Sequence, residues 1–101
     1  MASTKRFYRR RFLNRRGYHA GAYVIADVDI ETFESKAGPR TEIAASLTVA
    51  DCGRIATLDF DVHDAKAVGN ALHKARLLRD VVDGFTEALE AAILRVHGPG
   101  T

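Results

Sequence analysis

The sequence contains little of the chemistry on which covalent cross-links and metal clusters depend. Its 101 residues include one cysteine, Cys52, so no disulfide can form within the chain and a cysteine-based metal cluster is excluded. There is no tryptophan, and there are only two prolines. No apolar run is long enough to span a bilayer, and the first residues lack the apolar segment of a secretory signal. These absences predict a cytoplasmic protein that makes no membrane contact.

Acidic residues are absent from the first 18 positions, although the whole chain has a formal net charge of only +2. Residues 1–18 hold seven of the 15 Lys and Arg residues. The other eight, together with all 13 Asp and Glu, lie in residues 19–101, a balance of −5. Such asymmetry is typical of a basic arm that contacts a partner. The competing interpretation is that neighbouring acids of the same fold neutralise the arm.

Alternating apolar and polar residues predict an antiparallel sheet in the first two thirds of the chain. A hydrophobic content of 47% and a charged content of 28% are typical of a globular protein, and the length fits a single domain, 1–101. Turn residues such as those of "SKAGPR" (35–40) and "DCGR" (51–54) separate the alternating segments. The predicted strands are 5–13, 20–33, 41–51 and 54–62.

From Asp64 the apolar residues recur every three or four positions, which predicts a helix over 64–96. Asp64 is a suitable N-cap, and "HGPG" (97–100) ends the helix. Such a helix is about 50 Å long, whereas a sheet of ten-residue strands measures about 33 Å. It therefore overhangs the sheet or breaks near Gly84. The predicted fold is α+β, with a four-stranded antiparallel β-meander followed by one long amphipathic helix that covers one face.

Small and apolar residues also form a second row on the predicted helix, beside its main apolar stripe. Small side chains allow another helix to approach closely, so this row predicts a homo-oligomer in which the distal half of the helix packs against another copy. The alternative is a helix that bends back on its own domain. The predicted oligomer interface consists of Leu77, Val81, Gly84, Ala88 and Ala92.

Side chains that could carry out catalysis or bind metal do not form a familiar arrangement. Asp27 and Asp29 lie on one predicted strand, and Asp59 and Asp61 on another, separated by a third strand and hence by about 10 Å. One Mg²⁺ ion cannot bridge that distance, so these acids are interpreted as solvent-exposed. The four histidines match no triad or zinc spacing, and Cys52 lies in a predicted turn. We expect no enzymatic activity, catalytic residue, cofactor or metal.

The segment "KRFYRRRFLNRRGY" (5–18) contains six arginines and four aromatic residues. Arginine interleaved with aromatic residues is typical of grooves for single-stranded nucleic acid, where bases stack on rings and cations follow phosphates. Pairing of Arg9 and Arg11 with Asp27 and Asp29 across a hairpin would neutralise part of this charge. The predicted nucleic-acid-binding residues are Arg6, Phe7, Tyr8, Arg9, Arg10, Arg11, Phe12, Arg15, Arg16 and Tyr18.

Two resemblances accompany these patterns. The order of elements is similar to that of whirly-type and Pur-type single-strand binders, without a motif of either family. The segments "RRFLNRRGYHAGAYVIADV" and "NALHKARLLRDVVDGF" resemble small uncharacterised proteins of actinobacterial phages, which implies action in the host cytoplasm and no known activity. The sequence thus predicts a non-enzymatic accessory protein that binds nucleic acid, preferably single-stranded. The alternative is a phage-type interaction module that binds a host protein through its edge strand or long helix.

Overall fold

A computed structural model describes residues 2–99 as a four-stranded sheet followed by one helix. The strands pair antiparallel in the order β1-β2-β3-β4, so each strand neighbours the next one in the chain. This architecture confirms the predicted α+β class and the meander. The elements are β1 (Ala2–Phe12), β2 (Tyr23–Ser35), β3 (Gly38–Asp51), β4 (Arg54–Asp59) and α1 (Ala65–His97).

The strand boundaries differ from the prediction by up to three residues. β1 begins at Ala2, three positions before the predicted start, and β2 begins at Tyr23, three positions after it. β4 ends at Asp59, although Val62 still forms an isolated antiparallel bridge with Ile43. The chain therefore leaves the sheet gradually before the helix begins.

The turn between β2 and β3 is shorter than the predicted 35–40, and this prediction is wrong. Ser35 pairs directly with Gly38, which leaves a two-residue turn. Gly38 has a φ of 109°, a conformation that favours glycine. Pro39 is already within β3, at a place where β4 no longer pairs with it. The missing N–H of Pro39 therefore costs no ladder hydrogen bond on that side.

The helix α1 is continuous through Gly84, which decides between the two sequence-based alternatives in favour of an overhanging helix. At its start the side chain of Asp64 accepts a hydrogen bond from the backbone N–H of Ala67, 3.1 Å away, as predicted for an N-cap. At its end Gly98 has a φ of 74°, and its N–H donates to the carbonyl of Leu94. The molecule measures 63 × 28 × 21 Å.

One face of the sheet, here called the cleft face, looks toward α1. It carries the directly paired residues Phe7, Val28 and Ala45. Between this face and the first half of α1 lies an apolar cleft of about 730 Å³. The opposite side of the sheet, the open face, carries Asp27 and Asp29, one position along β2 from Val28 and Ile30.

The single chain does not close a core between sheet and helix. Within the part of the chain whose burial is described, Ala22 and Ala50 are the only buried apolar residues, and no residue of α1 is buried. Direct contact between α1 and the sheet includes Lys74, whose Nζ donates to the carbonyl of Asp59 at 2.6 Å and lies over the Phe60 ring. Among residues 2–99, no helix is long and apolar enough to cross a membrane.

Candidate nucleic-acid interface

The basic segment lies on β1, which is an edge strand of the sheet. A β-bulge at Arg6 interrupts its pairing with β2, because Lys5 pairs with Asp29 whereas Phe7 pairs with Val28. The extra residue shifts the rest of β1 by one position. The predicted hairpin pairing of Arg9 and Arg11 with Asp27 and Asp29 is wrong, because these acids pair with Tyr8 and Lys5.

After the bulge, the arginines of β1 lie opposite apolar residues. Arg9 pairs with Ala26 and Arg11 with Val24. Directly paired residues of an antiparallel sheet project from the same face, so both arginines lie on the cleft face with Phe7. Arg10 lies on the open face.

Lys5 takes the two carboxylates that were expected to pair with arginine. Its Nζ lies 2.7 Å from Asp27 Oδ1 and 3.1 Å from Asp29 Oδ1. The hydrogen bonds to Asp27 and Asp29 raise the pKa of Lys5 above its ordinary value. Acids of the same fold therefore do neutralise part of the basic segment, but the cation that they neutralise is Lys5.

None of the six arginines of the segment lies within ion-pair distance of a carboxylate belonging to residues 2–99. The Arg11 guanidinium instead donates to the carbonyl of Arg10 at 2.8 Å. Their charge is consequently available to a ligand. The six are Arg6, Arg9, Arg10, Arg11, Arg15 and Arg16.

The aromatic residues of the segment are exposed beside these cations. The guanidinium of Arg9 lies 4.9 Å from the centre of the Phe7 ring, and that of Arg10 lies 5.6 Å from the Phe12 ring. The Phe12 side chain is 58% exposed and that of Tyr18 is 73% exposed. Exposed aromatic faces beside cations are suited to stacking with planar ligands.

A shallow cleft of about 300 Å³ adjoins β1 on the open face. Arg10, Phe12, Ala20, Tyr23 and Ile25 line it. The register makes this cleft, because Phe12 pairs with Tyr23 and Arg10 with Ile25. Sequence reasoning missed Tyr23 and Ile25, since the alternation places them on one face of β2 but does not reveal which residues of β1 they meet.

The loop between β1 and β2 holds Arg15 and Arg16 in a hydrogen-bonded turn. The N–H of Tyr18 donates to the carbonyl of Arg15 at 3.1 Å, and Gly17 has a φ of 99°. The N–H of Leu13 donates to the carbonyl of Ala22, which closes the base of the loop. The two arginines therefore lie at the tip of an ordered loop that continues from β1.

The same loop contacts the β3–β4 turn through His19, a cluster that the sequence did not reveal. Potential ligand atoms of His19, Asp51 and Cys52 lie within 4.8 Å of one another, and all three residues are exposed. The N–H of Gly21 points to His19 Nδ1 at 3.3 Å, and the Asn14 amide nitrogen lies 3.1 Å from Nε2. Both ring nitrogens are thus engaged within the loop, and a metal ion would have to displace one of these contacts.

The two Asp pairs on the strands do not meet. β3 lies between β2 and β4, as the meander requires. Asp27 and Asp29 are engaged by Lys5, whereas Asp61 accepts a hydrogen bond from the Ala45 N–H at 2.8 Å. The carboxylate of Asp61 thus accepts a backbone N–H of β3 beyond the end of β4.

His63 forms a separate ionic group with Glu42 and Arg40. One carboxylate oxygen of Glu42 lies 2.9 Å from His63 Nδ1, and the other lies 2.9 Å from Arg40 Nε. The hydrogen bond to Glu42 and its negative charge raise the pKa of His63. This group links β3 to the segment that precedes α1.

The predicted oligomer interface lies on α1 outside the cleft. Leu77 and Val81 are 53% and 61% exposed, and they line a separate depression of about 390 Å³ on the helix surface. A Cβ added at Gly84 would meet no atom within 4 Å. Ala88 and Ala92 are likewise exposed. Within the described chain these five residues therefore remain open to contact.

Comparison with models of protein families, with curated proteins and with solved structures finds no match for this chain. The geometry around β1 is therefore the basis for assigning a function.

Proposed function

We propose that the protein binds single-stranded nucleic acid through β1 and the loop that follows it. The observation that supports this function is the combination, on one edge strand and the loop after it, of exposed aromatic rings and six arginines that have no carboxylate partner within residues 2–99. A fully buried arginine is normally paired with an acid, whereas these six arginines are exposed. Six unpaired guanidinium groups on one segment instead fit a polyanionic ligand.

In this proposal the guanidinium groups contact phosphates and the rings stack with bases. Phe12 and Tyr23, in the shallow cleft beside Arg10, form the stacking site. Stacking on an aromatic side chain contributes about 1–3 kcal/mol per base. Bases must be unpaired to reach the rings, so we expect a preference for single strands over duplexes.

The distribution of acids confines the ligand to one edge of the sheet. Asp27 and Asp29 lie on the open face toward its centre, where they hold Lys5 and oppose a phosphate backbone. A strand of nucleic acid would therefore follow β1 and continue toward Arg15 and Arg16.

The protein in this proposal is a cytoplasmic accessory factor without enzymatic activity or cofactor, and it is a homo-oligomer. Self-association would bring several copies of β1 to one nucleic acid strand. Because the second contact then becomes intramolecular, avidity rises without any new contact.

Fluorescence anisotropy with labelled single-stranded and double-stranded oligonucleotides tests the proposal. With about four phosphate contacts, affinity for a single strand should fall roughly 50-fold between about 50 and 200 mM salt. The triple variant Arg9→Gln, Arg10→Gln and Arg11→Gln should lose this binding.

The matched control removes the same charge outside β1 and outside the charged halves of α1, in the triple variant Lys36→Gln, Arg54→Gln and Arg95→Gln. The control should bind nearly as the unaltered protein does if β1 is the interface. Equal losses in both variants would indicate an effect of net charge alone, and absence of binding at low salt would overturn the proposal.

A further inference from the structure

The single chain exposes far more surface than a folded monomer of its size. Its accessible surface is 8325 Å², whereas a compact monomer of 11.1 kDa exposes about 5,700 Å². The excess is therefore about 2,600 Å² per chain, or about 5,200 Å² for two chains, a value in the range of obligate homodimers. The exposed side chains include Leu72, Val82, Phe85 and Leu89 of α1, which are 46–64% exposed. A partner must cover this apolar surface.

The exposed surface of α1 has the pattern of a coiled-coil seam. From Val68 onward, apolar residues occupy the first and fourth positions of every seven over four repeats. The first positions are Val68, Ala75, Val82, Leu89 and Val96, and the fourth positions are Ala71, Leu78, Phe85 and Ala92. A seam of this length on one continuous 33-residue helix is suited to pairing with another helix.

The charges of α1 separate into two halves of opposite sign. Residues 65–79 contain four basic residues and no acid, namely Lys66, Lys74, Arg76 and Arg79. Residues 80–94 contain four acids and no basic residue, namely Asp80, Asp83, Glu87 and Glu90. Two such helices attract each other when they run antiparallel and repel when they run parallel, since parallel pairing places like charges side by side.

We propose that α1 pairs with α1 of a second copy in an antiparallel dimer whose twofold axis passes near Asp80. This inference does not depend on nucleic-acid binding, but it gives the proposed homo-oligomer a defined interface. An axis at this position matches each basic half with an acidic half. It also places the first positions of the seven-residue repeat in one helix opposite the fourth positions in the other helix. Antiparallel coiled coils form their layers in this way.

The register also matches small side chains with large ones. About the axis, Ala71 faces Leu89 of the other copy and Ala75 faces Phe85, while Leu78 faces Val82. Alternation of small and large residues across facing positions allows the layers to interdigitate. The chain thus carries both halves of a complementary interface.

The cleft supplies the second wall for the incoming helix. Seam residues of the first half of α1, including Val68, Ala75 and Leu78, line the cleft opposite the sheet. The helix of the second copy, when it lies in this cleft, contacts α1 on one side and the cleft face of the sheet on another. That helix therefore needs two adjoining apolar faces. The row that contains Val81 and Ala88 lies beside the seam and provides the second face. The interface therefore extends beyond the row predicted from the sequence and centres on the seam.

Disulfide trapping tests both the contact and its direction. Ala71→Cys and Leu89→Cys are each introduced into the full chain with Cys52→Ser, and the two proteins are unfolded and refolded together. An antiparallel pair in this register forms a disulfide-linked dimer between the two different chains. Each variant alone should remain uncrosslinked. In a dimer of one variant, the cysteine of one copy and that of the other lie 18 positions apart along the paired helices, about 27 Å. A disulfide requires Cα atoms within about 7 Å.

The outcomes separate this inference from its competitors. Crosslinking of each variant with itself indicates a parallel pair and overturns the proposal. Failure of the mixture to crosslink while the unaltered chain sediments as a dimer indicates another interface. Sedimentation at 11.1 kDa at tens of micromolar excludes the dimer.

All these measurements are made without nucleic acid. The variant that lacks Arg9, Arg10 and Arg11 should still form the dimer. Failure of the dimer and failure of nucleic-acid binding are therefore distinguishable.

Discussion

Lys5 and Asp27 are joined across the first hairpin by a hydrogen bond of 2.7 Å between Nζ and Oδ1. The bulge at Arg6 lets Lys5 lie on the open face among the carboxylates of β2 while Arg9 and Arg11 lie on the cleft face. β1 therefore carries one cation, Lys5, that is paired with acids of the fold, and arginines that have no acidic partner within residues 2–99.

Replacing Lys5 and replacing Arg10 should have different effects on nucleic-acid binding. Arg10→Gln removes a phosphate contact, so the slope of log affinity against log salt should decrease in magnitude by about 0.7 for a single strand. Lys5→Gln should leave the slope nearly unchanged, since its charge is already engaged by Asp27 and Asp29. Anisotropy titrations at four salt concentrations measure both slopes. Equal changes would contradict the division described for β1.

The aromatic ring of Phe12 should contribute to binding through stacking. Phe12→Leu keeps an apolar side chain but removes the ring, and we expect a loss of about 1–3 kcal/mol per stacked base, roughly 5- to 150-fold in affinity. Phe12→Tyr retains a ring and should bind like the unaltered protein. Oligothymidylate binding at fixed salt provides the measurement. If the leucine variant bound as tightly as the tyrosine variant, stacking at this position would be excluded.

The fold was largely predictable because its signals are local. Alternation along the strands and the three-four spacing after Asp64 identify the meander and the helix, and the caps at Asp64 and Gly98 lie where the sequence indicates. The turn at 35–40 was predicted wrongly for a physical reason. Pro39 is excluded from a strand only where its nitrogen faces a partner, and β4 does not pair with β3 at this position.

The site was less predictable because it depends on register. A single extra residue, Arg6, moves Arg9 and Arg11 to the cleft face while Lys5 stays on the face of Asp29, and no composition signal distinguishes a bulge from regular pairing. Tyr23 joins the stacking site for the same reason. The charge asymmetry and the aromatic content identified the segment, whereas the contacts of each residue required the paired strands.

The N-cap of α1 should stabilise the protein through one side-chain contact. Asp64→Ala removes the acceptor for the Ala67 N–H and should lower the free energy of unfolding by about 1 kcal/mol, within a range of 0.5–2 kcal/mol. Asp64→Asn retains an acceptor oxygen and should behave nearly as the unaltered chain. Urea denaturation followed by circular dichroism measures the difference. Because self-association would contribute to stability, all proteins are compared at one concentration. Equal destabilisation by both changes would mean that the charge matters more than the hydrogen bond.

The ion pair between His63 and Glu42 should make stability depend on pH. Glu42 raises the pKa of His63 in the folded chain above the ordinary value of about 6.5 that applies to the unfolded chain. The stabilisation is therefore fully present below about pH 6.5 and is lost as the pH rises through the higher folded-state pKa. The thermal midpoint of Glu42→Gln should accordingly fall further below that of the unaltered protein at about pH 5.5 to 6 than at about pH 8.5.

Proton NMR titration of the His63 ring identifies the group responsible. Glu42→Gln should lower the pKa of His63, because it removes the hydrogen bond and the negative charge that raise it. Arg40→Gln should raise this pKa, since the positive charge of Arg40 opposes protonation of His63. Opposite shifts in the two variants would show that Glu42 raises the pKa of His63 through its hydrogen bond and charge and that Arg40 lowers it. Shifts in the same direction would instead indicate that either change moves His63 out of its place beside β3.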